Sequence, residues 1–221
     1  MSRAPGPVGA LFGLSLALVI TLAGPLLLFN PWFTSALQAR HDVADAFETS
    51  QAEIDRVTGA VLGDIYVNGR FDAALTGDDA LLDERERSHM ADVSRLVQLL
   101  AGVAVVALVV AVVTGTWLRR ERERQGRIML IAAGGIGVVA ILLAGIFAVA
   151  FEPAFLAFHQ LFFPPGTFLF APGSNLIVLF PEGFWFEAAL VAGATIIVTA
   201  LVVTVIGLRR WRGASATPAR P

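Results

Sequence analysis

Four long apolar stretches constrain this chain more than any other feature. They cover residues 8–29, 96–118, 128–151 and 186–208, and the only charged residue within them is Glu187, at the edge of the fourth. Each is long enough to cross the hydrocarbon core of a bilayer, which takes about 20 apolar residues in a helix. Because a membrane-spanning segment must satisfy its own backbone hydrogen bonds, the sequence predicts an all-α membrane protein with four transmembrane helices.

The first stretch, residues 8–29, follows Arg3 as the apolar core of a signal peptide follows a basic residue; with its N-terminal flank it makes up residues 1–29. It is longer than the roughly 7–15 apolar residues of a signal peptide, and no small-x-small cleavage site follows it. Trp32, just beyond it, is typical of an anchor at the membrane interface. We therefore expect the first stretch to be retained as a span.

Arginine, which supplies every basic side chain, predicts the orientation. The loop 119–127 and the tail 209–221 are rich in arginine, whereas the loop 152–185 has no basic residue. By the positive-inside rule, both termini and the loop 119–127 are expected to be cytoplasmic, and the loops 30–95 and 152–185 to face outward. The arginines concerned are Arg3, Arg119, Arg120, Arg122, Arg124, Arg127, Arg209, Arg210, Arg212 and Arg220.

The two outer loops differ in character. The loop 30–95 is polar but contains an apolar stripe at helical spacing, which predicts helices that pack on a neighbouring surface. A second helix in this loop is expected to begin near Asp78 or Asp83 and to continue into span two. The loop 152–185 is rich in phenylalanine: ten of the sixteen Phe lie from Phe151 to Phe186. This composition favours an aromatic belt at the interface over a pocket for lipid chains, but leaves both open. The stripe consists of Leu37, Ala44, Phe47, Ile54, Val57, Val61 and Ile65.

Several classes of chemistry find no support in the sequence. Without cysteine, the chain itself has no disulfide, thiolate zinc site or cysteine nucleophile. It contains no Gly-x-Ser-x-Gly, P-loop or His-Glu-x-x-His motif. The basic loop 119–127 is short and contains two Glu, so it is interpreted as a topology determinant and not as a nucleic-acid site. We therefore expect no metal and no cofactor.

Two of the three histidines, His89 and His159, are the best candidates for chemistry. On a helix Glu86, His89 and Asp92 share one face just before span two, and a carboxylate beside an imidazole fixes its tautomer and raises its basicity. From the spacing alone, an ordinary charged turn before the membrane is equally favoured. His41, between Arg40 and Asp42, is expected to be solvated surface.

His159 is expected on an aromatic helix that extends from span three. It could pair with His89, or it could make only a structural hydrogen bond to a neighbouring helix. Asn175, Glu182 and Arg95 are the nearest candidates to join the pair, although Glu182 at a helix N-terminus is also typical of capping. A separation of more than about 20 Å, two helix diameters, would exclude a shared site.

The segments around these histidines resemble those of one bacterial family. The first reads Glu86-Arg-Ser-His89-Met90-Ala-Asp92-Val93, and the second contains Phe158-His159-Gln-Leu-Phe162-Phe163 followed by Phe180-Pro181-Glu182-Gly-Phe184. Together they are similar to motifs of the four-span family that includes the lipoprotein intramolecular transacylases. Three positions depart from the family pattern as we expect it: Phe168 replaces a Trp, Asn175 an Asp, and Glu187 a nearby Asp.

The resemblance implies a four-span protein of the bacterial plasma membrane, with a helical extracytoplasmic domain between spans 1 and 2 and a Phe-rich interfacial loop between spans 3 and 4. It implies an acyltransferase that moves the sn-2 acyl chain of a diacylated lipoprotein to the α-amino group of its lipidated cysteine. His89 and His159 would be the catalytic acid–base pair. Asp92, Glu86, Glu182 and Asn175 would orient or support them, and Phe158, Phe162, Phe163 and Phe184 would hold acyl chains. The expected partners are membrane lipid and the lipoprotein.

Two other functions remain open at this point. The chain could be a non-catalytic envelope protein that binds a partner through its outer helical domain, in which case the two histidines need not meet. It could also be an accessory protein that binds a metal, which would require histidines and carboxylates within about 2.0–2.2 Å of one ion.

Overall fold

The computed structural model describes residues 6–67, 69–76 and 80–215, without the side chains of residues 214 and 215. Arg3 and Arg220, used above for orientation, and Asp78, one of the two expected helix starts, lie outside these ranges. Within them, four helices are long and apolar enough to cross a membrane: α1 (Pro7–Leu27), α5 (Glu84–Trp117), α6 (Arg122–Val149) and α9 (Glu182–Ser215). This confirms the prediction of four spans.

The described residues of Met1–Gly24, Ala101–Ala144 and Ala192–Pro221 form one compact unit, which contains most of the four spans. Its interior is built from small apolar clusters, while many large apolar side chains are exposed, as expected for helices whose solvent is lipid. One cluster consists of Phe12, Leu118, Ile128 and Met129, and another of Ile20, Ala133 and Ala200.

Glycine permits close approach of helices in this unit. A Cβ on Gly126 of α6 would lie 2.6 Å from the carbonyl oxygen of Gly207 on α9. A Cβ on Gly24 of α1 would lie 2.4 Å from the carbonyl oxygen of Ala192, also on α9. Because no side chain fits at either contact, α9 packs backbone to backbone against two neighbours, which is how spans associate where no hydrophobic driving force is available.

The described residues of Pro25–Leu100 and Gly145–Val191 form the second unit. It contains α2 (Pro31–Arg40), α3 (Val43–Ala46), α4 (Gln51–Val67), α7 (Phe151–Phe162) and α8 (Asn175–Leu179). The apolar stripe predicted for the first loop is divided among α2, α3, α4 and the chain between them, and its α4 members Ile54, Val57, Val61 and Ile65 are at most 1% exposed. These residues belong to the hydrophobic core of the unit, so the predicted packing role of the stripe is confirmed.

Helix α5 begins where Asp83 caps it. The carboxylate of Asp83 accepts a hydrogen bond from the Glu86 N–H at 2.8 Å, and the Glu86 carboxylate accepts one from the Asp83 N–H at 2.8 Å. This reciprocal pair is a capping box, and it satisfies two N–H groups that have no partner inside the helix. Of the two expected starts, the structure selects Asp83.

The helix that carries His159 is not an extension of span three, contrary to expectation. Helix α6 ends at Val149, Ala150 leaves the helical conformation with φ −142° and ψ 51°, and α7 starts at Phe151. Pro153 explains the break, because proline has no N–H to donate to the Val149 carbonyl and its ring clashes with that group. His159 therefore lies on a separate short helix.

Candidate active site

The rings of His89 and His159 lie beside each other in the second unit. Their centroids are 6.0 Å apart and their planes differ by 26°. Helix α5 contributes His89 from its second turn, and α7 contributes His159 from near its C-terminal end. Two segments 70 residues apart in sequence thus bring both candidate imidazoles into one site.

Aromatic rings surround the pair. Phe163, buried just after α7, contacts both imidazoles, with centroids 4.9 Å from His89 and 5.5 Å from His159. Phe170 lies 5.5 Å from His89 and Phe168 lies 5.3 Å from His159. The imidazoles therefore sit in a largely apolar surrounding, which disfavours their charged forms.

A backbone carbonyl fixes the tautomer of His159. Nδ1 of His159 lies 2.8 Å from the carbonyl oxygen of Phe155, one turn earlier on α7. Since a carbonyl can only accept, Nδ1 carries the proton and Nε2 presents a lone pair. Burial lowers the pKa of His159 below 6.5, partly offset by this backbone hydrogen bond, so the neutral form with a free Nε2 is favoured at neutral pH.

His89 is held by packing. It is 6% exposed, and its Nδ1 is buried without a hydrogen-bond partner among the described residues. The carboxylate of Asp92, expected to orient it, instead forms an ion pair with Arg95, with 2.6 Å between Oδ1 and Nη1. Asp92 thus lies one turn away and acts on His89 through its charge and not through a hydrogen bond.

Glu86 also makes no hydrogen bond to His89 in the described structure. Besides the capping box, its Oε1 accepts a hydrogen bond from the backbone N–H of Leu176, at 2.8 Å. Beside it, the side-chain amide of Asn175 donates to the carbonyl oxygen of Leu81 at 2.6 Å. Both residues were expected to support the imidazoles directly; instead, Glu86 joins the start of α8 to the first turn of α5, and Asn175 joins it to Leu81, just before α5.

Glu182 is an exposed residue in the first turn of α9, and no hydrogen bond or ion pair joins it to either histidine in the described ranges. The helix dipole favours a carboxylate at that position.

The four predicted acyl-pocket phenylalanines do not form one cluster. Phe158 and Phe162 are 42% and 44% exposed, with ring centroids 4.9 Å apart on α7, and Phe163 contacts the histidines. Phe184 is buried in the core of the second unit, where its ring contacts Phe180 and Trp185. Three of the four thus lie on or beside the helix that carries His159.

Phe155 and Phe170 contact the site and were missed from the sequence. The Phe155 ring lies 4.2 Å from the His159 ring. Its position four residues before His159 is a signal that helical periodicity offers. No comparable signal marks Phe170, because the irregular chain before α8 has no period.

His41 is not solvated surface, contrary to expectation. Its side chain is 23% exposed, its Nε2 lies 3.4 Å from Oε1 of Glu187, and Glu187 also pairs with Arg40 at 3.2 Å. A Cβ on Gly183 would lie 2.6 Å from the His41 ring. These contacts join α2 to the start of α9 and give Glu187, the only charged residue in the predicted spans, a cationic partner.

The described residues contain no group of three or more His, Asp or Glu side chains that could hold a metal ion. Within the described residues, the site consists of a pair of imidazoles surrounded by aromatic rings.

The fold and the site define a multi-pass membrane protein in which a buried histidine and a half-buried histidine lie together beside aromatic side chains. The model of the family described as lipoprotein intramolecular transacylase Lit matches residues 10–185, and the chain belongs to this family. The matched region includes His89, His159 and both motif segments.

Solved structures show the same fold. The chain matches the membrane-integral lipoprotein intramolecular transacylase Lit from Bacillus cereus with a TM-score of 0.83 and 19% identity, over 95% of this chain and 97% of that one. A variant of the same protein with a histidine replaced by alanine matches with a TM-score of 0.76 and 18% identity, over 95% and 94% of the two chains.

A sequence relative is an uncharacterised protein of Aquifex aeolicus (strain VF5), 28% identical over 132 residues. The match covers 59% of this chain and 58% of that relative, so it spans less than two thirds of the relative's length.

Proposed function

We propose that this protein moves the sn-2 acyl chain of a diacylglyceryl-modified lipoprotein to the α-amino group of the same lipidated cysteine, with His89 and His159 as the acid–base pair. The observation that carries the proposal is the pairing of the two imidazoles at 6.0 Å in a chain that belongs to the Lit family.

The reaction needs two proton acceptors and one donor. The amine begins as an ammonium group and ends as an amide N–H, so nitrogen loses two protons, while the sn-2 glycerol oxygen gains one. The C–N bond forms, the ester C–O bond breaks, and one proton is released overall. Two imidazoles that are neutral at rest meet this need: one takes the first proton and later gives it to the glycerol oxygen, and the other takes the second.

The tautomer of His159 assigns its reactive atom. With Nδ1–H held by the Phe155 carbonyl, Nε2 accepts the proton from the attacking nitrogen. His89 is then the imidazole that takes the first proton from the ammonium group and later gives it to the glycerol oxygen, while His159 takes the second proton, which is released overall. Each role is worth about 10²–10⁴-fold in rate. Because the amine and the ester belong to one substrate, proximity is already supplied and no covalent nucleophile is needed.

The exposed apolar surface of α7 supports the delivery of acyl chains from the lipid to His89 and His159. It carries exposed apolar side chains beside His159, among them Leu156, Phe158, Leu161 and Phe162. A helix with this surface is suited to lie at the membrane interface, where the diacylglyceryl group of a lipoprotein is anchored. We place the site at the outer face of the bacterial plasma membrane, as the arginine distribution predicts.

The test is expression of the chain in bacterial cells that lack this activity, followed by mass spectrometry of their lipoproteins. The proposal predicts a new lyso-form, with one acyl chain amide-linked to cysteine and one ester-linked to glycerol. Unchanged diacylglyceryl-cysteine, with the protein present in the membrane, would reject it. If the wild-type chain is active and the His89→Ala and His159→Ala variants are equally active, only the site assignment is rejected.

A further inference from the structure

Glu86 is a buried carboxylate that the proposed mechanism does not use. It is 2% exposed and lies one turn before His89, yet both of its oxygens are occupied by backbone N–H groups, of Asp83 and of Leu176, each at 2.8 Å. A buried carboxylate is costly unless its oxygens are satisfied, and its hydrogen bonds are stronger than those between neutral groups. Glu86 therefore joins two chain segments that are 90 residues apart.

The segment that Glu86 holds contains the rings around the site. We call residues 163–176 the aromatic strap: it runs from the end of α7 to the start of α8 and carries Phe163, Phe168 and Phe170. Two turns shape it, with φ +82° at Gly166 and +85° at Gly173, each glycine directly after a proline. A positive φ at this position of a turn favours glycine, which has no Cβ to clash.

The strap is fastened at both ends. Its first residue follows directly from α7, so the helix fixes that end. At its far end, the Leu176 N–H donates to Glu86 and the Asn175 side chain donates to the Leu81 carbonyl. Between these ends, the exposed Arg85 side chain donates to the Leu169 carbonyl at 3.4 Å, a longer and weaker contact.

We propose that Glu86 and Asn175 are positioning residues, which hold the aromatic strap against His89 and His159 and thereby exclude water from the imidazoles. The catalytic consequence rests on the proposed function, but the closure of the strap is a property of the folded chain. Because Glu86 acts on the histidines through the strap, its loss changes their exposure without removing a proton acceptor.

The test is chemical footprinting of the three histidines with diethylpyrocarbonate, which modifies neutral, accessible imidazole. The full chain in detergent micelles is treated briefly, and modification of each histidine is followed by mass spectrometry. Glu86→Gln retains the volume of the side chain but replaces one acceptor oxygen with an NH₂ group that cannot accept a backbone N–H. Since charge-assisted hydrogen bonds are the strong ones, we expect the modification rates of His89 and His159 to rise about tenfold or more.

Two references make this result specific. His41 lies in the same unit, at the end of α2, where its ring contacts Glu187 and Gly183 of α9, so its rate should not change. Glu53→Gln is the control variant, because Glu53 also binds a backbone N–H, that of Thr76 at 2.7 Å, but lies away from the strap. It should leave the modification rates of all three histidines at their wild-type values. Asn175→Ala should raise the rates of His89 and His159 by less than Glu86→Gln does.

Unchanged rates at His89 and His159 in Glu86→Gln would overturn the proposal, and so would an equal rise at His41, which would mean that the whole unit loosens. The same variants assayed for acyl transfer separate this inference from the proposed function. If the wild-type chain shows no acyl transfer, the proposed function is rejected, but the footprinting result still tests whether Glu86 holds the strap against the histidines. In an active protein, Glu86→Gln should lower kcat and move the acidic limb of the pH profile upward, as water reaches the imidazoles.

Discussion

At the scale of single residues, chemistry at the site depends on what surrounds each imidazole. The carbonyl of Phe155 holds Nδ1–H of His159 and leaves Nε2 as the nitrogen with a lone pair, whereas His89 is positioned by ring packing and its Nδ1 is buried without a partner in the described structure. The two histidines are therefore not equivalent, although either motif alone would suggest the same role for both.

Alanine substitutions test the two imidazoles. We expect His89→Ala and His159→Ala each to lower the rate of acyl transfer by about 10²–10⁴-fold, since each removes one proton-transfer group. His41→Ala is the matched control and should retain activity within a few-fold, because His41 contacts Glu187 and Gly183 and not the pair. Rates are measured on a synthetic diacylglyceryl lipopeptide. A His159→Ala variant with wild-type rate would contradict the assigned role.

The pH profile tests the enclosure of His159. Burial lowers the pKa of His159, and the base must be neutral to act, so the acidic limb of kcat/KM should lie below pH 6.5. Phe168→Ala removes a ring 5.3 Å from the imidazole and admits water, so the limb should shift upward, toward the ordinary value of 6.5. Wild type and Phe168→Ala are assayed with the same substrate, so its amine contributes equally to both pH profiles. If the acidic limb of kcat/KM lies at the same pH in both proteins, the Phe168 ring does not desolvate His159.

At the scale of elements, two carboxylates of α4 bind the chain that follows the helix: Asp64 accepts a hydrogen bond from the Phe71 N–H at 2.7 Å, and Glu53 binds Thr76. Glu53 on α4 accepts hydrogen bonds from the Thr76 N–H at 2.7 Å and hydroxyl at 2.8 Å, and from Arg56 at 2.6 Å, while Arg56 also donates to the Ala74 carbonyl. Arg56 first, and Thr76 next, hold the pKa of Glu53 at about 2, well below 4.5.

This depressed pKa predicts acid sensitivity. A carboxylate with a lower pKa in the folded state stabilises the fold above its unfolded pKa, and this contribution is lost as pH falls from about 4.5 to about 2. Glu53→Gln should therefore lower Tm at pH 7, and the difference from wild type should shrink across that range. Thermal unfolding of both proteins at several pH values provides the measurement. A difference independent of pH would mean that the charge of Glu53 contributes nothing.

Close packing of the spans predicts a contrast between two glycines of α6. Gly126→Ala places a Cβ 2.6 Å from a backbone oxygen that cannot move alone, so we expect a loss of about 1–3 kcal/mol in the free energy of unfolding. Gly134→Ala meets nothing within 4 Å and should be neutral or stabilising by up to about 1 kcal/mol, because alanine favours helix. Equal stabilities in denaturant titrations would contradict the observed backbone contact.

At the scale of the whole molecule, periodicity and charge predict the spans, the stripe of α4 and, as one of two expected starts, the start of α5 near Asp83. Each of these depends on local physics: an apolar length, a helical repeat, a capping pair. The partners of Glu86 and Asn175 were not predictable, because their hydrogen bonds join segments about 90 residues apart. The break at Ala150 was missed, although Pro153 is a sufficient local signal for it.

The orientation of the molecule is a prediction that the absence of cysteine makes easy to test. A single cysteine is introduced at one of two exposed positions, Asp45→Cys in α3 or Glu123→Cys at the start of α6. A maleimide that cannot cross the membrane reacts only with a cysteine on the side to which the reagent is added. In intact spheroplasts we expect the first to react, and the second to react only after permeabilisation. The reverse pattern would place the histidine pair on the cytoplasmic side and contradict the positive-inside assignment.

The central claim is that the histidine pair moves one particular acyl chain within a single molecule. Purified protein in lipid vesicles is given a synthetic lipopeptide whose sn-1 and sn-2 chains differ in mass, and tandem mass spectrometry locates each chain. We predict that the sn-2 chain becomes amide-linked to the cysteine nitrogen, the sn-1 chain stays on glycerol, and His159→Ala abolishes the change. An amide-linked chain derived from sn-1 or from vesicle lipid, or both chains remaining as esters, would contradict the account.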